Sequence, residues 1–506
     1  MVSCACTCMS ADRPVTFRRA AELSVLVIVL AVAAAARLWF GDAGIPHAVG
    51  IDEPQVVGRA LRILQTGDWG PHIFDYPTLV IYAHALVAIV RFLWGALQGE
   101  WASLEGYSIA AVYSTGRVVA ALVGVATVWL TYRLALELSS RRVALLAAAM
   151  LAVRPLHVRE SHFILTDVPM AALTTLAVWL AVRAARLGTW RAYAWAGGAC
   201  GLAAAAKYNG GLALVAVLAA WVVHERSCPD RLRTLGAIIG AAALAFIAGA
   251  PYTVLDLPAF LDGFAAQFSR FAAPSSTADA PWLVYLKHLS PPGGRWSAPL
   301  AAGGMGLVLW RTDRARWVPP VVFTLGFFYV LATHSHAFGR YALPLVPMLC
   351  LFMAVAVFAV LEWVTRYAPL GRPLARRAIT VAAVAAVLYG SAAETVRWLD
   401  QLKRSDTRAL AAEWLRSNAP RAARVAVENN GPTYLEAAGF KVTGTEMLLD
   451  QPPAWYRSRV DYLIISAADL ARYGDYVNAG STVYQVSPTP QRWGPPILIV
   501  KIAGGN

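Results

Sequence analysis

Two acids, Asp52 and Glu53, stand side by side just after the first apolar run and open the stretch "IDEPQVVGRALRILQTGDWGPHIFDYPTLVIY" at residues 51–82. Farther along come Asp75, Arg117, a cluster of His157, Arg159, Glu160, His162 and Asp167, then Lys207, and finally His334, His336 and Arg340 beside Tyr341. Several lie within a few residues of an apolar run. Ionised groups near a bilayer are costly and gather at pathways, sites or headgroup contacts. Carboxylates there can take a proton, Arg and Lys can hold a phosphate, and the histidines together with Asp167 can ligate a metal. A water-filled hollow at one membrane boundary is the economical reading.

Each residue also has a plainer role. Asp52 and Glu53 suit the start of a helix through "QVVGRALRIL", because acids favour a helix N-terminus. Asp167, directly before Val168-Pro169, suits a cap with proline in the first turn. Arg340 can snorkel from a span end. Lys207 opens "KYNGG", a turn with Asn-Gly in its favoured place, and scattered histidines suit headgroup contacts.

The elements that would position these groups are membrane helices. Of 506 residues, 58% are hydrophobic, well above the roughly 45–50% of soluble domains. The net charge of +14 does not indicate nucleic acid, because the arginines sit in short loops between apolar runs. Eleven spans are expected near 22–40, 111–136, 143–157, 168–186, 192–206, 209–224, 234–251, 297–311, 318–333, 342–363 and 377–396. Basic clusters such as Arg141/Arg142 and Arg183/Arg186/Arg191 fall in every second loop, as a cytoplasmic set should.

That alternation bears on residues 76–97, which are apolar enough to tempt a twelfth span. Counting them as a crossing would move five later basic clusters outside. They are therefore expected to lie along the outer face as an interfacial helix, and residues 258–271 likewise. The expected organisation is a cytoplasmic tail at 1–21, a membrane domain at 22–397 with external loops at 41–110 and 252–296, and a small external α/β domain at 398–506. In that last part "DTRALAAEWLRSNA" has helical spacing, while "ARVAVEN", "VDYLIIS", "TVYQV" and "ILIVKI" read as strands. Six cysteines show no paired metal spacing. The cluster Cys4, Cys6 and Cys8 reads as tail.

The stretch at 51–82, "RPLHVRESHFILTDVPMAALTTLA" at 154–177, "AAKYNGGLAL" at 205–214 and "FGRYALPLVP" at 338–347 together resemble the family 39 glycosyltransferases, the protein O-mannosyltransferase and aminoarabinose-transferase-like group with the C-type fold. The similarity covers about 23–396 in order and spacing. It implies a polytopic α-helical membrane glycosyltransferase with its site on the outer side, and the high Ala and Arg content with short basic loops suggests a bacterial inner membrane. The resemblance also implies Asp52 as catalytic base with Glu53 assisting, and Asp167 at a metal- or substrate-binding position, where His162 is a candidate from the residues themselves. The implied donor is a polyprenyl-phosphate sugar, whose leaving phosphate needs charge stabilisation from Arg340, Lys207, Arg117 and Tyr341 or from a divalent ion. The acceptor, whether glycan, lipid or protein, is left open. The central external loop is too short for the folded insertion of the eukaryotic mannosyltransferases.

A transporter or flippase of a lipid-linked sugar is the competing function. Transporters often show repeated halves; no convincing repeat is visible, and the acids crowd one face. An assembly scaffold acting through the C-terminal region would leave the membrane carboxylates unexplained.

Overall fold

The computed structural model describes residues 13–223, 230–272, 279–291, 294–311, 313–333, 337–367, 373–467 and 469–502. His334, His336 and the Cys4–Cys8 cluster lie outside them. Among the described residues, seventeen α-helices occupy the first four-fifths of the chain: α1 Arg13–Leu38, α2 Glu53–Thr66, α3 Leu79–Leu97, α4 Ile109–Leu138, α5 Arg141–Ala152, α6 Pro155–Glu160, α7 Asp167–Leu187, α8 Trp190–Ala206, α9 Leu214–Val223, α10 Arg231–Gly249, α11 Tyr252–Leu255, α12 Leu257–Ala272, α13 Pro281–Leu289, α14 Ser297–Trp310, α15 Val318–Ala332, α16 Leu345–Tyr367 and α17 Pro373–Gln401. Every expected span has its helix, and the chain is a multi-pass membrane protein. Among the described residues seven helices, α3 among them, are by themselves long and apolar enough to cross a bilayer. The first helix starts at Arg13 rather than near residue 22, and the last runs past the expected boundary at 397.

Short, well-capped turns make the helices alternate. Ser140 accepts a hydrogen bond from the Val143 N–H at the α4–α5 turn. At the α7–α8 turn Gly188 takes the left-handed conformation, φ 64°, which an L side chain resists, and Thr189 caps the next helix. Small residues then let the helices touch. A β-carbon on Gly197 or Gly201 of α8 would fall 2.3 or 2.1 Å from the Ile238 or Ala242 carbonyl oxygen of α10, the close backbone approach that drives helix pairing where no hydrophobic force acts between helices.

Contacts at the two ends confirm the alternation. Arg186 at the end of α7 pairs with Glu137 at the end of α4 at 2.7 Å, and Arg141 at the start of α5 pairs with Glu22 in α1. The opposite end gathers the last residues of α1, α5, α8 and α10 with the first of α4, α7 and α16. There Arg37 of α1 is fully buried and donates to the Leu151 and Ala152 carbonyls at 3.1 and 3.0 Å, satisfying α5's orphan C-terminal groups.

Helix α3 begins and ends at this second end of the bundle. It starts where Thr78 donates to the Gly249 carbonyl at the end of α10, at 3.0 Å. His84 lies against Gly116, two turns into α4, yet Ala88 receives the Tyr107 hydroxyl from the residues before α4, and Trp101 donates to Phe92 at 2.8 Å. The helix thus runs from the second turn of α4 towards the residues that precede it. Its length and apolar character suit a membrane span.

After α17 a small α/β domain follows, with α18 Thr407–Asn418 and the strands β1 Ser405–Asp406, β2 Arg424–Glu428, β3 Lys441–Thr445, β4 Tyr462–Ile465, β5 Gly480–Val486, β6 Arg492–Trp493 and β7 Ile497–Ile502. The main sheet has the order β3-β2-β4-β7-β5. Its β3, β2 and β4 are parallel, and β7 is antiparallel to β4 and β5. Successive side chains point to opposite faces: Val425, Ile464 and Ile499 pack with Ala411 and Leu415 of α18, while Ala426, Leu463 and Val500 pack with Leu448, Tyr456 and Tyr473. All four expected strands and the helix are present. Strand β3, split by Gly444 and largely exposed, gave no alternating signal.

Candidate active site

Asp52 occupies the N-cap position of α2 but makes no side-chain capping bond. Its carboxylate instead pairs closely with the Arg340 guanidinium, and both side chains keep about a quarter of their surface exposed. Arg340 sits on a 3-10 turn, Gly339–Ala342, just before α16. The same guanidinium reaches Asp167 Oδ2 at 3.9 Å. Asp167 is the first residue of α7, where a negative charge is favoured by the helix dipole, and its other oxygen accepts from Lys207 Nζ at 2.7 Å.

Lys207 ends α8 in an extended conformation and is followed by the 3-10 turn Tyr208–Ala213. Gly210 is needed there, because a β-carbon would meet the Ala203 carbonyl oxygen at 2.3 Å. The ammonium lies 4.4 Å from the Tyr341 ring centre and 6.0 Å from that of Tyr76, within cation–π range. Four helix ends far apart in sequence thus build one alternating chain of charge: Asp52, Arg340, Asp167, Lys207.

The charges set one another. Burial opposes the charge of Arg340, but Asp52 and Asp167 more than offset it, and its pKa lies above the ordinary arginine value. The Tyr76 and Tyr341 hydroxyls are pushed up by burial, with the same carboxylates adding to it, so both stay protonated donors. Glu160 is nearly buried, pairs with Arg159 at 2.6 Å, and is held above the usual carboxylate range by burial against the opposing pull of Arg159, with Asp167 adding a smaller push upward.

Three expected site residues are engaged elsewhere. Glu53 is fully buried. Its two oxygens accept from Arg117 Nε at 2.9 Å and Nη2 at 2.7 Å, from the Gly50 N–H at 2.6 Å and from the Ile164 N–H at 2.9 Å. Four donors saturate the carboxylate, so it fixes the loop behind Asp52 and has no lone pair turned to a substrate. Arg117 is correspondingly withdrawn from the phosphate-binding set: its remaining nitrogen donates to the Gly41 and Ala43 carbonyls, both at 2.9 Å, and the residue is 4% exposed. His162 is buried, and its neutral ring donates to one of the two carbonyl oxygens beside its nitrogens, Val158 at 2.9 Å or Trp39 at 3.1 Å. It ties α6 to the end of α1 and is not placed as a ligand.

A metal fits poorly. Among the described residues no three His, Cys, Asp or Glu gather closely enough to hold one, and the two carboxylates that could start such a set already hold Arg340 and Lys207.

The segment carrying Asp52 is also clamped by the C-terminal domain. Arg408, paired with Asp406 at 2.8 Å, donates to the Val49 and Ala48 carbonyls at 2.8 and 3.3 Å. Thr433 donates to the Pro46 carbonyl at 2.6 Å and, through its N–H, to that of His47 at 3.0 Å, and the Tyr113 and Tyr434 hydroxyls meet at 2.7 Å. These contacts, like the roles of Tyr76 and Glu160, carry no periodicity or motif that a single sequence displays.

The family described as dolichyl-phosphate-mannose-protein mannosyltransferase matches residues 75–268. A sequence comparison with curated proteins finds no match. Among solved structures the chain is similar to ArnT from Cupriavidus metallidurans in the apo state, with a TM-score of 0.60 and 16% identity over 95% of this chain and 98% of that one. It is also similar to ArnT bound to undecaprenyl phosphate, at 0.58 and 15% over 97% and 98%. A third similar structure is the Archaeoglobus fulgidus oligosaccharyltransferase AglB with an inhibitory peptide and a dolichol-phosphate, at 0.59 and 14% over 89% and 70%. The archaeal protein has also been solved with Zn and sulfate. The chain has the C-type fold of membrane glycosyltransferases, and its residues 75–268 match the mannosyltransferase family within that fold.

Proposed function

We propose that this protein is an inverting membrane glycosyltransferase that moves a sugar from a polyprenyl phosphate to an acceptor hydroxyl on the outer side of a bacterial inner membrane. The observation that carries the reading is the Asp52–Arg340–Asp167–Lys207 chain: a partly exposed carboxylate beside two cations at a bundle end. The lipid phosphates in the ArnT and AglB structures support the donor class. The arginine-rich turns at the opposite end support the orientation, with the C-terminal domain and α3 outside.

In this reading Arg340 and Lys207 attract the donor's phosphate. The phosphate competes with Asp52 for the Arg340 guanidinium and parts that pair, leaving the sugar ring between base and cations. The acceptor hydroxyl oxygen then forms a bond to the anomeric carbon while the bond from that carbon to the phosphate oxygen breaks. The hydroxyl proton goes to Asp52, and the departing electron pair rests on the phosphate, whose charge Arg340 and Lys207 stabilise. Attack opposite the leaving group inverts the anomeric centre. Asp167 holds both cations in register, Glu53 holds the loop of Asp52, and the chain's own cations fill the role a divalent ion would otherwise take.

The test is to reconstitute the protein in liposomes carrying a panel of radiolabelled polyprenyl-phosphate sugars. Label leaving the lipid for a water-soluble or membrane acceptor supports the transferase. Label that crosses the bilayer still attached to its lipid overturns it in favour of a flippase.

A further inference from the structure

A second opening lies a short way from Asp52, in the C-terminal domain. A cleft of about 410 Å³ sits at the carboxyl ends of the parallel strands, lined by Asn429 and Asn430 after β2, Glu446 after β3, and Asp469 and Arg472 beyond β4. From β2 the chain goes to β3 on one side and then crosses back over β2 to β4 on the other. In open α/β sheets such a switch point is where the crevice for a ligand forms. The volume lies within the range of small-molecule sites.

The wall of this cleft includes Ile51, the residue before Asp52. Consecutive α-carbons are about 3.8 Å apart, so the cleft wall and the proposed base share one backbone segment. The cations that would hold the donor's phosphate come from α8 and the turn before α16, and none of them lines the cleft. The floor is rigid: Glu428 is buried and accepts from the Leu448 and Ser466 N–H groups at 3.0 and 2.7 Å and from the Tyr473 hydroxyl at 2.7 Å. The rim is unspent. The side-chain amides of Asn429 and Asn430 make no hydrogen bond among the described residues, and neither does the Glu446 carboxylate.

We propose that this cleft is the acceptor subsite and that it takes a neutral or amino-bearing saccharide. The inference rests on the transferase reading above. Side-chain amides donate and accept at once, and carboxylates accept from the adjacent hydroxyls of a sugar ring or from its ammonium group. Three carboxylates, Glu428, Glu446 and Asp469, against one cation, Arg472, disfavour a phosphorylated or sulfated glycan. The acceptor chain lies across Ile51 and presents one hydroxyl to Asp52.

The experiment probes the purified full chain, without donor, on an array of neutral, amino, sulfated and phosphorylated oligosaccharides and Ser/Thr-containing peptides. Retention of neutral or amino glycans supports the proposal, provided that Asn429→Ala/Asn430→Ala and, separately, Asp469→Ala weaken it by about tenfold or more with the melting temperature unchanged. Retention unaffected by both variants, retention of anionic glycans or peptides only, or no retention overturns it. The donor assay is independent: glycan binding that survives while no lipid-linked donor is consumed would sink the transferase reading and leave a saccharide site standing.

Discussion

Asp52 and Glu53 are neighbours in sequence with opposite fates. Asp52 keeps about a quarter of its side-chain surface exposed and pairs with Arg340, whereas Glu53 is sealed behind it against Arg117 at 2.7 Å. The first turn of α2 separates them, since adjacent residues on a helix do not face the same way. One acid is free to meet a substrate because the other anchors the loop.

Glu53→Gln is expected to act on stability. It leaves the buried Arg117 charge without its counter-charge, a loss of about 3–5 kcal/mol for a broken buried pair. The detergent-solubilised protein should melt at a markedly lower temperature. A variant as stable as the parent would show that the pair does not anchor the loop.

Arg340→Lys tests the shared cation. A guanidinium can serve Asp52 and Asp167 together and later a phosphate, while an ammonium is a point charge. The transfer rate should fall by about 10²-fold with the fold intact by melting temperature. Near-parental kcat with lysine would show that the bridging geometry is dispensable.

His162 predicts a pH dependence. Burial holds its pKa down to about 4, below the ordinary 6.5. The unfolded chain therefore takes up the proton first, and the stability present above pH about 6.5 is lost as pH falls towards 4. His162→Gln should flatten the decline in melting temperature across that window, whatever its effect at neutral pH. An unchanged slope would mean that His162 is not a group lost to protonation there.

The membrane architecture was largely legible because apolar runs and alternating basic turns are local, repeated signals, and so were the strands at 424–428, 462–465 and 497–502 with their dense apolar residues. Asp52, Asp167, Lys207, Arg340 and Tyr341 lie at span ends within the quoted motifs, and the fold brings them together. What stayed hidden was pairing. Nothing local says that the partner of Glu53 is Arg117, 64 positions away, or that Tyr76 faces Lys207. For the same reason His162 looked like a ligand: an imidazole's partners, here two backbone carbonyls, are set by tertiary packing.

The central claim is that Asp52 takes the acceptor's proton while the cations hold the donor. The direct measurement is single-turnover transfer from a radiolabelled polyprenyl-phosphate sugar alongside equilibrium binding of the same donor, comparing Asp52→Asn with the parent. The account predicts donor bound at least as tightly, because Arg340 loses a competitor, and transfer slowed by about 10²–10⁴-fold. Transfer at the parental rate by Asp52→Asn would contradict it.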